Sequence, residues 1–383
     1  NLIVDEGDPF NEILFNKSIN NIQSLGIFKK VETKVQEGSQ DRFKIIDLDV
    51  EERPTGEISV SAGFGTQGGT IGAGIKENNF LGKGINLNTN LEITEDSVKG
   101  QFVYAKPNFN YSDNTLFTSL KSSSSDFLTD SGYKTSELGF SVGTRFEQFQ
   151  NIYLSPELDF LIEDLETSNK ASNTIKKQEG SYTDLYFNYS INQDLRDKKF
   201  RTEDGFVTTF SQELPIVSDN SEIANSFDIT KYKKFSTRSD AVGKVSFFGK
   251  TITGLSDDVR ISKRLYIPSY RLRGFEKGKV GPVDNNDYIG GNHLTSVNMS
   301  ATLPNILEGI DNLDVGVFLD AANIWGVDYD SSLDDKSAIR SSAGVALNLM
   351  TPIGPLSFSF ANAITKASSD KTETFRFNLG TQF

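Results

Sequence analysis

From Gly56 to the end of the chain, apolar and polar residues alternate with a period of two. This alternation predicts β-strands with one apolar and one polar face, because successive side chains of a strand point to opposite sides. Clusters of Gly, Asn, Asp and Ser separate the runs and indicate turns. We count 16 such runs. The first has an apolar face of Ile58, Val60, Ala62 and Phe64, and the last has one of Phe375, Phe377, Leu379 and Phe383.

The length of the runs distinguishes a membrane barrel from a soluble β-sandwich, which also alternates. Many runs reach about 9 to 12 residues, as tilted membrane-crossing strands require, whereas strands of soluble proteins average about 5 or 6. No stretch approaches the roughly 18 consecutive apolar residues of a transmembrane helix. We therefore predict an all-β transmembrane barrel of 16 antiparallel strands over residues 56–383.

Residues 1–55 have a different pattern. Phe15, Ile19, Ile22 and Leu25 recur at helical spacing, with Asp8 as the expected N-cap and Gly26 as a C-terminal stop. Two short alternating runs follow around residues 31–35 and 46–50, and they predict a pair of strands packed on the helix. This segment is expected to be part of a small α/β domain whose remainder lies upstream.

The alternation of apolar and polar residues is interrupted at residues 256–292. The segment is too long for a hairpin loop, and loops of this length are usually functional or disordered. It contains Tyr266, Tyr270, Phe275 and Tyr288, more aromatic residues than a disordered tether usually has. We expect it to be ordered by folding into the barrel, and we call it loop six.

Composition excludes several kinds of chemistry. The net charge of -13 argues against nucleic acid, which is bound mainly by clustered Lys and Arg. There is no cysteine, and His293 is the only histidine, so no thiolate or histidine metal site and no Ser/His/Asp triad can be specified. We expect a protein that is not an enzyme and needs no cofactor or metal. We also expect any export signal to lie upstream or to have been removed.

Several motifs in order along the chain resemble those of BamA-type outer-membrane protein assembly factors, in the superfamily that also contains two-partner-secretion transporters. Leu272-Arg273-Gly274-Phe275 is similar to the V/L-R-G-F/Y signature of that superfamily's loop six. The other similar segments are 7–11, 25–28, 52–56, 78–84, 281–282, 290–292 and 318–325, the last with Ala322 where glycine is usual. The resemblance implies that residues 1–55 are the C-terminal part of the last periplasmic POTRA domain.

The resemblance also implies that loop six folds back into the barrel, where its arginine meets an acidic residue of the inner wall. On the run from Leu313 to Leu319 the odd-numbered residues are apolar, so Asp320 points to the lumen by parity. We expect Arg273, beside Gly274 and Phe275, to pair with Asp320; the alternative is a solvated surface arginine. Relatives often have a second acidic partner on the preceding strand, where this chain has Ser300, so the pair is expected to be weaker here.

The first and last strands are expected to form a lateral seam. The last run resembles the C-terminal β-signal of outer-membrane proteins. Glycine weakens a strand, so Gly380 opposite Gly63 and Gly65 predicts weak pairing between the last strand and the first. Weak pairing here is typical of the lateral gate proposed for this family. The alternative is that these glycines serve only the curvature of the barrel. The seam residues are Ile58, Val60, Gly63, Gly65, Phe375, Phe377, Gly380 and Phe383.

The resemblance implies an insertase that folds and inserts β-barrel proteins in the bacterial outer membrane through this seam. Its partners would be unfolded outer-membrane β-barrel proteins, accessory lipoproteins bound through POTRA domains in the periplasm, and outer-membrane lipid. A two-partner-secretion transporter and a TamA-type translocation and assembly factor remain as alternatives, and a passive porin is a third. A porin would have no POTRA domain.

Overall fold

The computed structural model describes residues 7–39, 43–199, 201–236, 239–304, 312–329, 332–351 and 354–380. The N-terminal segment has a helix, α1 (Glu12–Ser24), and two antiparallel strands, β1 (Phe28–Glu37) and β2 (Lys44–Glu52). The predicted N-cap at Asp8 is wrong. Asn11 caps the helix instead, because its side chain accepts hydrogen bonds from the backbone N–H groups of residues 13 and 14 at 2.9 and 3.1 Å.

Sixteen strands then close into one antiparallel barrel, which confirms the predicted fold. The strands of its first half are β3 (Gly56–Gly65), β4 (Gly68–Phe80), β5 (Ile85–Thr94), β6 (Ser97–Lys106), β7 (Thr115–Phe127), β8 (Tyr133–Phe149), β9 (Ile152–Thr167) and β10 (Gly180–Asp194). Short helices η1 (Phe109–Tyr111) and α2 (Asn173–Lys176) lie in the loops between them.

The second half of the barrel is interrupted once, by loop six. Its strands are β11 (Asp204–Ser218), β12 (Glu222–Ser236), β13 (Ser239–Gly254), β16 (His293–Pro304), β17 (Leu313–Trp325), β18 (Arg340–Thr351), β19 (Gly354–Thr365) and β20 (Phe375–Leu379). Loop six itself contains a short helix, η2 (Ile261–Lys263), and a small hairpin of β14 (Val283–Asp284) and β15 (Asp287–Tyr288).

The two faces of the barrel wall differ as the alternation predicts. On β17, Val317 and Leu319 are exposed on the outer face, whereas Phe318 and Asp320 are buried on the inner face. An apolar outer band and a polar interior are typical of barrels that span an outer membrane. No helix within the described ranges is long and apolar enough to cross a membrane.

Loop six folds into the lumen and packs there. One hydrophobic cluster joins its residues Ile267, Leu272, Phe275 and Val280 to Leu294, Ala322 and Ile324 of the wall. A second cluster joins Ile261 and Ile289 of loop six to Tyr133 and Leu165 of the wall and to Ala171, Ile175 and Val327 of two other loops. Burial of these apolar side chains orders the segment, since it replaces contacts with water by contacts with the wall.

Candidate functional site in the lumen and at the seam

The structure brings Arg273 and Asp320 together. The Nε and Nη2 atoms of Arg273 each donate to one carboxylate oxygen of Asp320 at 2.8 Å, and the backbone N–H of Arg273 donates at 3.1 Å. The side chain of Asp320 is 0% exposed. This two-bond geometry uses the planar fork of the guanidinium, which a lysine cannot reproduce.

The surroundings of the pair differ from the expectation about Ser300. Ser300 is in register with Phe318, whereas Asn298 is in register with Asp320. The Nδ2 of Asn298 donates to Asp320 at 2.9 Å and to the carbonyl oxygen of Arg271 at 2.7 Å. The guanidinium of Arg273 also lies over the ring of Phe318, 3.4 Å from its centroid. The neutral amide of Asn298 and the ring of Phe318 therefore surround the pair, at the position where we expected Ser300.

Gly274 and Phe275 fix the path of the loop beside this pair. Gly274 has φ +88°, and a Cβ there would lie 3.1 Å from Ala361 and 3.2 Å from Ser342. The close approach allows the hydroxyl of Ser342 to donate to the carbonyl oxygen of Arg273. Phe275 is almost completely buried in the lumen cluster.

Three further arginines of loop six form ion pairs with residues outside this loop, and none of the three was among the predicted site residues. Arg264 forms an ion pair with Asp328, and Arg271 forms one with Asp228 of β12. Arg260 is fully buried among three carboxylates on three strands, namely Glu163, Asp184 and Glu222. Burial lowers the pKa of Arg260, but attraction to Glu163 and the hydrogen bond to Asp184 outweigh burial and raise it, so the guanidinium stays charged.

A signal for these contacts exists in the sequence. Loop six has four arginines within 14 positions, at 260, 264, 271 and 273. Glu163, Asp184 and Glu222 lie on polar faces of their runs, where parity directs them to the lumen. Basic residues in an inward-folded loop and acidic residues on an inner wall predict ion pairs, although parity alone does not assign the partners.

The seam between β20 and β3 is short. Within the described residues only Asn378 with Gly65 and Leu379 with Phe64 are in register, supplemented by a hydrogen bond from Thr66 N to Phe377 O at 3.1 Å. On its other side, β3 pairs with β4 over ten positions. The rings of Phe64 and Phe377 meet edge to face across the seam, with centroids 5.9 Å apart. Phe375 lies on the outer face of β20, stacked on Phe377.

Two of the predicted seam glycines are required by close approach of the strands. A Cβ on Gly65 would lie 2.4 Å from the carbonyl oxygen of Phe377, and one on Gly380 would lie 2.2 Å from that of Ala62. Gly380 also has φ +94°, a backbone conformation that favours glycine. Gly63 lies directly against Gly380, since its Cα would be 3.0 Å from that added Cβ. These glycines therefore allow the strands to touch where the pairing ends.

Among the described residues, the part of β3 before Ala62 pairs with β4 and is not paired with β20, so this part of the first strand has an open edge. Ile58 and Val60 lie on the outer face of this edge, and each is 79% exposed. Phe383, the last of the predicted seam residues, lies outside the described residues.

In the part of the chain that the structure describes, no group of three His, Cys, Asp or Glu residues could hold a metal ion. The acidic side chains around Arg260 are held by that arginine.

Two curated proteins resemble the chain over nearly its whole length. It is 24% identical to the outer membrane protein assembly factor BamA of Neorickettsia risticii (strain Illinois), covering 100% of this chain and 52% of that protein. It is 23% identical to the factor of the same name from Neisseria meningitidis serogroup B (strain ATCC BAA-335 / MC58), covering 99% and 53%. The chain thus spans about half the length of these relatives.

A solved structure has the same fold. BamA from Haemophilus ducreyi, crystallised without POTRA domains 1–3, superimposes with a TM-score of 0.86 at 23% identity, covering 100% of this chain and 80% of that one. These matches confirm the predicted resemblance to BamA-type factors. The model of the Omp85 superfamily domain matches residues 79–383. This match covers well over half of the chain, which therefore belongs to the Omp85 superfamily.

Proposed function

We propose that this chain is the membrane part of a factor that folds and inserts β-barrel proteins into the outer membrane through the seam between β20 and β3. The open edge of β3 is the observation that supports this proposal most strongly. Over Gly56–Ser61, about half of the backbone N–H and C=O groups point away from β4. Such an edge can accept an incoming strand by β-augmentation.

The membrane gives this edge a strong preference for a partner. In hydrocarbon an unpaired backbone group costs several kcal/mol, because no water is present to bond it. A strand of a substrate barrel that pairs with β3 would remove this cost. The other edge of that strand would then be free to pair with the next strand of the substrate. The folding free energy of the substrate would then drive insertion, and bilayer thinning beside the short seam would lower the barrier.

Loop six has a supporting role in this proposal. Its ion pairs and two hydrophobic clusters fill the lumen and brace the wall. We propose that the Arg273–Asp320 pair locks loop six in place. With the lumen occupied in this way, a substrate would enter the membrane sideways through the seam.

The N-terminal segment would connect the barrel to the periplasmic domains that receive the substrate. We propose that α1, β1 and β2 are the end of the last POTRA domain and lie in the periplasm. Apolar side chains of β2, among them Leu48 and Val50, are exposed, as expected for part of a larger domain. The missing portion would receive unfolded outer-membrane β-barrel proteins and bind accessory lipoproteins.

A disulfide lock of the seam tests the proposal. In the full-length protein reconstituted in lipid vesicles, F64C with L379C would join a pair that is in register across the seam. L87C with Y104C, in register between β5 and β6, is the matched control. Assembly of a barrel substrate is followed by its folded band on an unheated gel.

The proposal predicts that the seam lock slows assembly at least tenfold, that reductant restores the rate, and that the control lock has no effect. Unchanged assembly with the seam locked would contradict insertion through the seam. If the client instead crossed into the vesicle lumen unaffected by the lock, the two-partner-secretion alternative would be the better account.

A further inference from the structure

The loop that precedes the last strand is bonded to loop six. This final loop, residues 366–374, forms an antiparallel bridge between Thr372 and Phe275. On either side of the bridge, Glu373 N donates to Gly274 O at 3.1 Å and Glu276 N donates to Lys371 O at 3.1 Å. The backbone N–H of Lys371 donates in turn to Lys279 O at 3.0 Å. Loop six and the final loop thus form a short two-stranded ribbon inside the barrel mouth.

Arg376, the second residue of β20, extends this attachment to the last strand itself. Its Nη1 donates to Ser269 O at 2.9 Å, and its Nη2 donates to Phe275 O at 2.8 Å. Its Nε and Nη2 also bind one carboxylate oxygen of Glu373 at 3.0 and 2.8 Å. The side chain is 9% exposed. One buried guanidinium therefore joins β20, loop six and the final loop, and hydrogen bonds from a charged donor are about twice as strong as neutral ones.

This attachment lies on the side of β20 where support from the sheet is weakest. The strand pairs with β19 over five positions and with β3 over two. Both pairs with β3 lie after Arg376, at Asn378 and Leu379. The whole of β20 thus has β19 on one side. Its beginning has no partner in β3 and is bonded to loop six, whereas its end has the short seam with β3 before the chain bends at Gly380.

We propose that Arg376 is a positioning residue that fixes the first half of β20 to loop six, so that seam opening is confined to the part of the strand after it. This inference rests on the proposed function, because it assigns the fixed and moving parts of the same seam. Loop six is in turn held at Arg273 by Asp320. A continuous series of bonded contacts therefore leads from the wall at β17, through residues 273–276, to the last strand.

Hydrogen exchange measures this anchoring without requiring assembly activity. The variant R376A, in the full-length protein in lipid vesicles, should exchange the amides of residues 375–377, in the first half of β20, at least tenfold faster than the wild type. R376K keeps the charge but cannot bridge two carbonyl groups and a carboxylate, so its exchange should be intermediate. R271A is the matched control, since it breaks an ion pair between loop six and β12 and should leave exchange in β20 unchanged.

A second variant separates anchoring from general damage to the fold. E276C with K371C would join neighbours of the ribbon covalently. Added to R376A, this disulfide should return exchange in β20 and the assembly rate to within about twofold of the wild type, and reductant should reverse both. Exchange in β20 that is unchanged in R376A, or not restored by the disulfide, would overturn the inference. A wild type that never assembles a substrate would instead refute the proposed function, and the exchange result would still stand.

Discussion

Replacement of Arg273 by methionine should release loop six from the wall. The change keeps the length of the side chain but leaves Asp320 fully buried, with only the backbone N–H of residue 273 and the amide of Asn298 as donors. Removing one partner of a buried ion pair costs about 3–5 kcal/mol. Because two donors remain and the Arg273 side chain is 22% exposed, we expect the lower end of that range. About 3 kcal/mol corresponds to a shift on the order of 100-fold in the docking equilibrium.

Hydrogen exchange of the segment 269–276 measures this shift directly. In R273M the amides of this segment should exchange roughly 100-fold faster than in the wild type, because exchange follows the population of the undocked loop. D320N keeps the shape of the carboxylate without its charge and should give a smaller acceleration. Exchange in R273M equal to that of the wild type would refute the argument that the pair holds the loop.

The reciprocal exchange of charges is a further check on direct contact. R273D combined with D320R should be more stable than the sum of the two single variants predicts, because the ion pair is formed again. Recovery should stay incomplete by about 1 kcal/mol, since the carboxylate at 273 loses the contact of the guanidinium with the Phe318 ring. No recovery at all would argue against direct pairing.

Three other changes follow from the same geometry. N298A removes one hydrogen bond to Asp320 and should accelerate exchange in loop six by about fivefold, or about 1 kcal/mol. R260M leaves three carboxylates without their shared cation. The free energy of unfolding should therefore fall by about 3–5 kcal/mol, measured from the fraction of the folded band on unheated gels at increasing urea concentration. The double variant R260M with E163Q should recover part of this loss. G380A places a Cβ against the carbonyl oxygen of Ala62. Added to the F64C and L379C variant, it should lower the yield of the seam disulfide severalfold. An unchanged yield would mean that the strands tolerate the methyl group.

Alternation predicts the barrel because a strand's period of two is imposed by backbone geometry and does not depend on neighbours. The same parity directs Asp320 to the lumen, where the structure has it bound to Arg273. Parity does not give the register between strands. We therefore expected the partner position of the preceding strand at Ser300, although the pairing of β16 with β17 places Asn298 opposite Asp320.

Other features depend on contacts between distant segments. The alternation of the last run does not predict the bend after Leu379, where Gly380 takes a positive φ against β3; residues 381–383 of that run lie outside the described residues. The partners of Arg260 lie on β9, β10 and β12, and the pairing of these strands in the sheet, which parity does not give, brings them around one side chain. The helix start was missed for a local reason: Asn11, three residues after Asp8, has the same capping ability and is the residue whose side chain bonds the first turn.

Crosslinking of a stalled substrate would show whether the open edge of β3 pairs with an incoming strand. A photo-crosslinking residue at Ser59 or Ser61 of the full-length protein would report on this edge, and one at Asn88, in the fully paired strand β5, is the control. We expect crosslinks from β3 to the terminal strand of the substrate. When the crosslinking residue is moved along β3, the crosslinked position in the substrate strand should shift by the same number of residues. Crosslinks that are absent at β3, or equally strong at Asn88, would contradict templating by this edge.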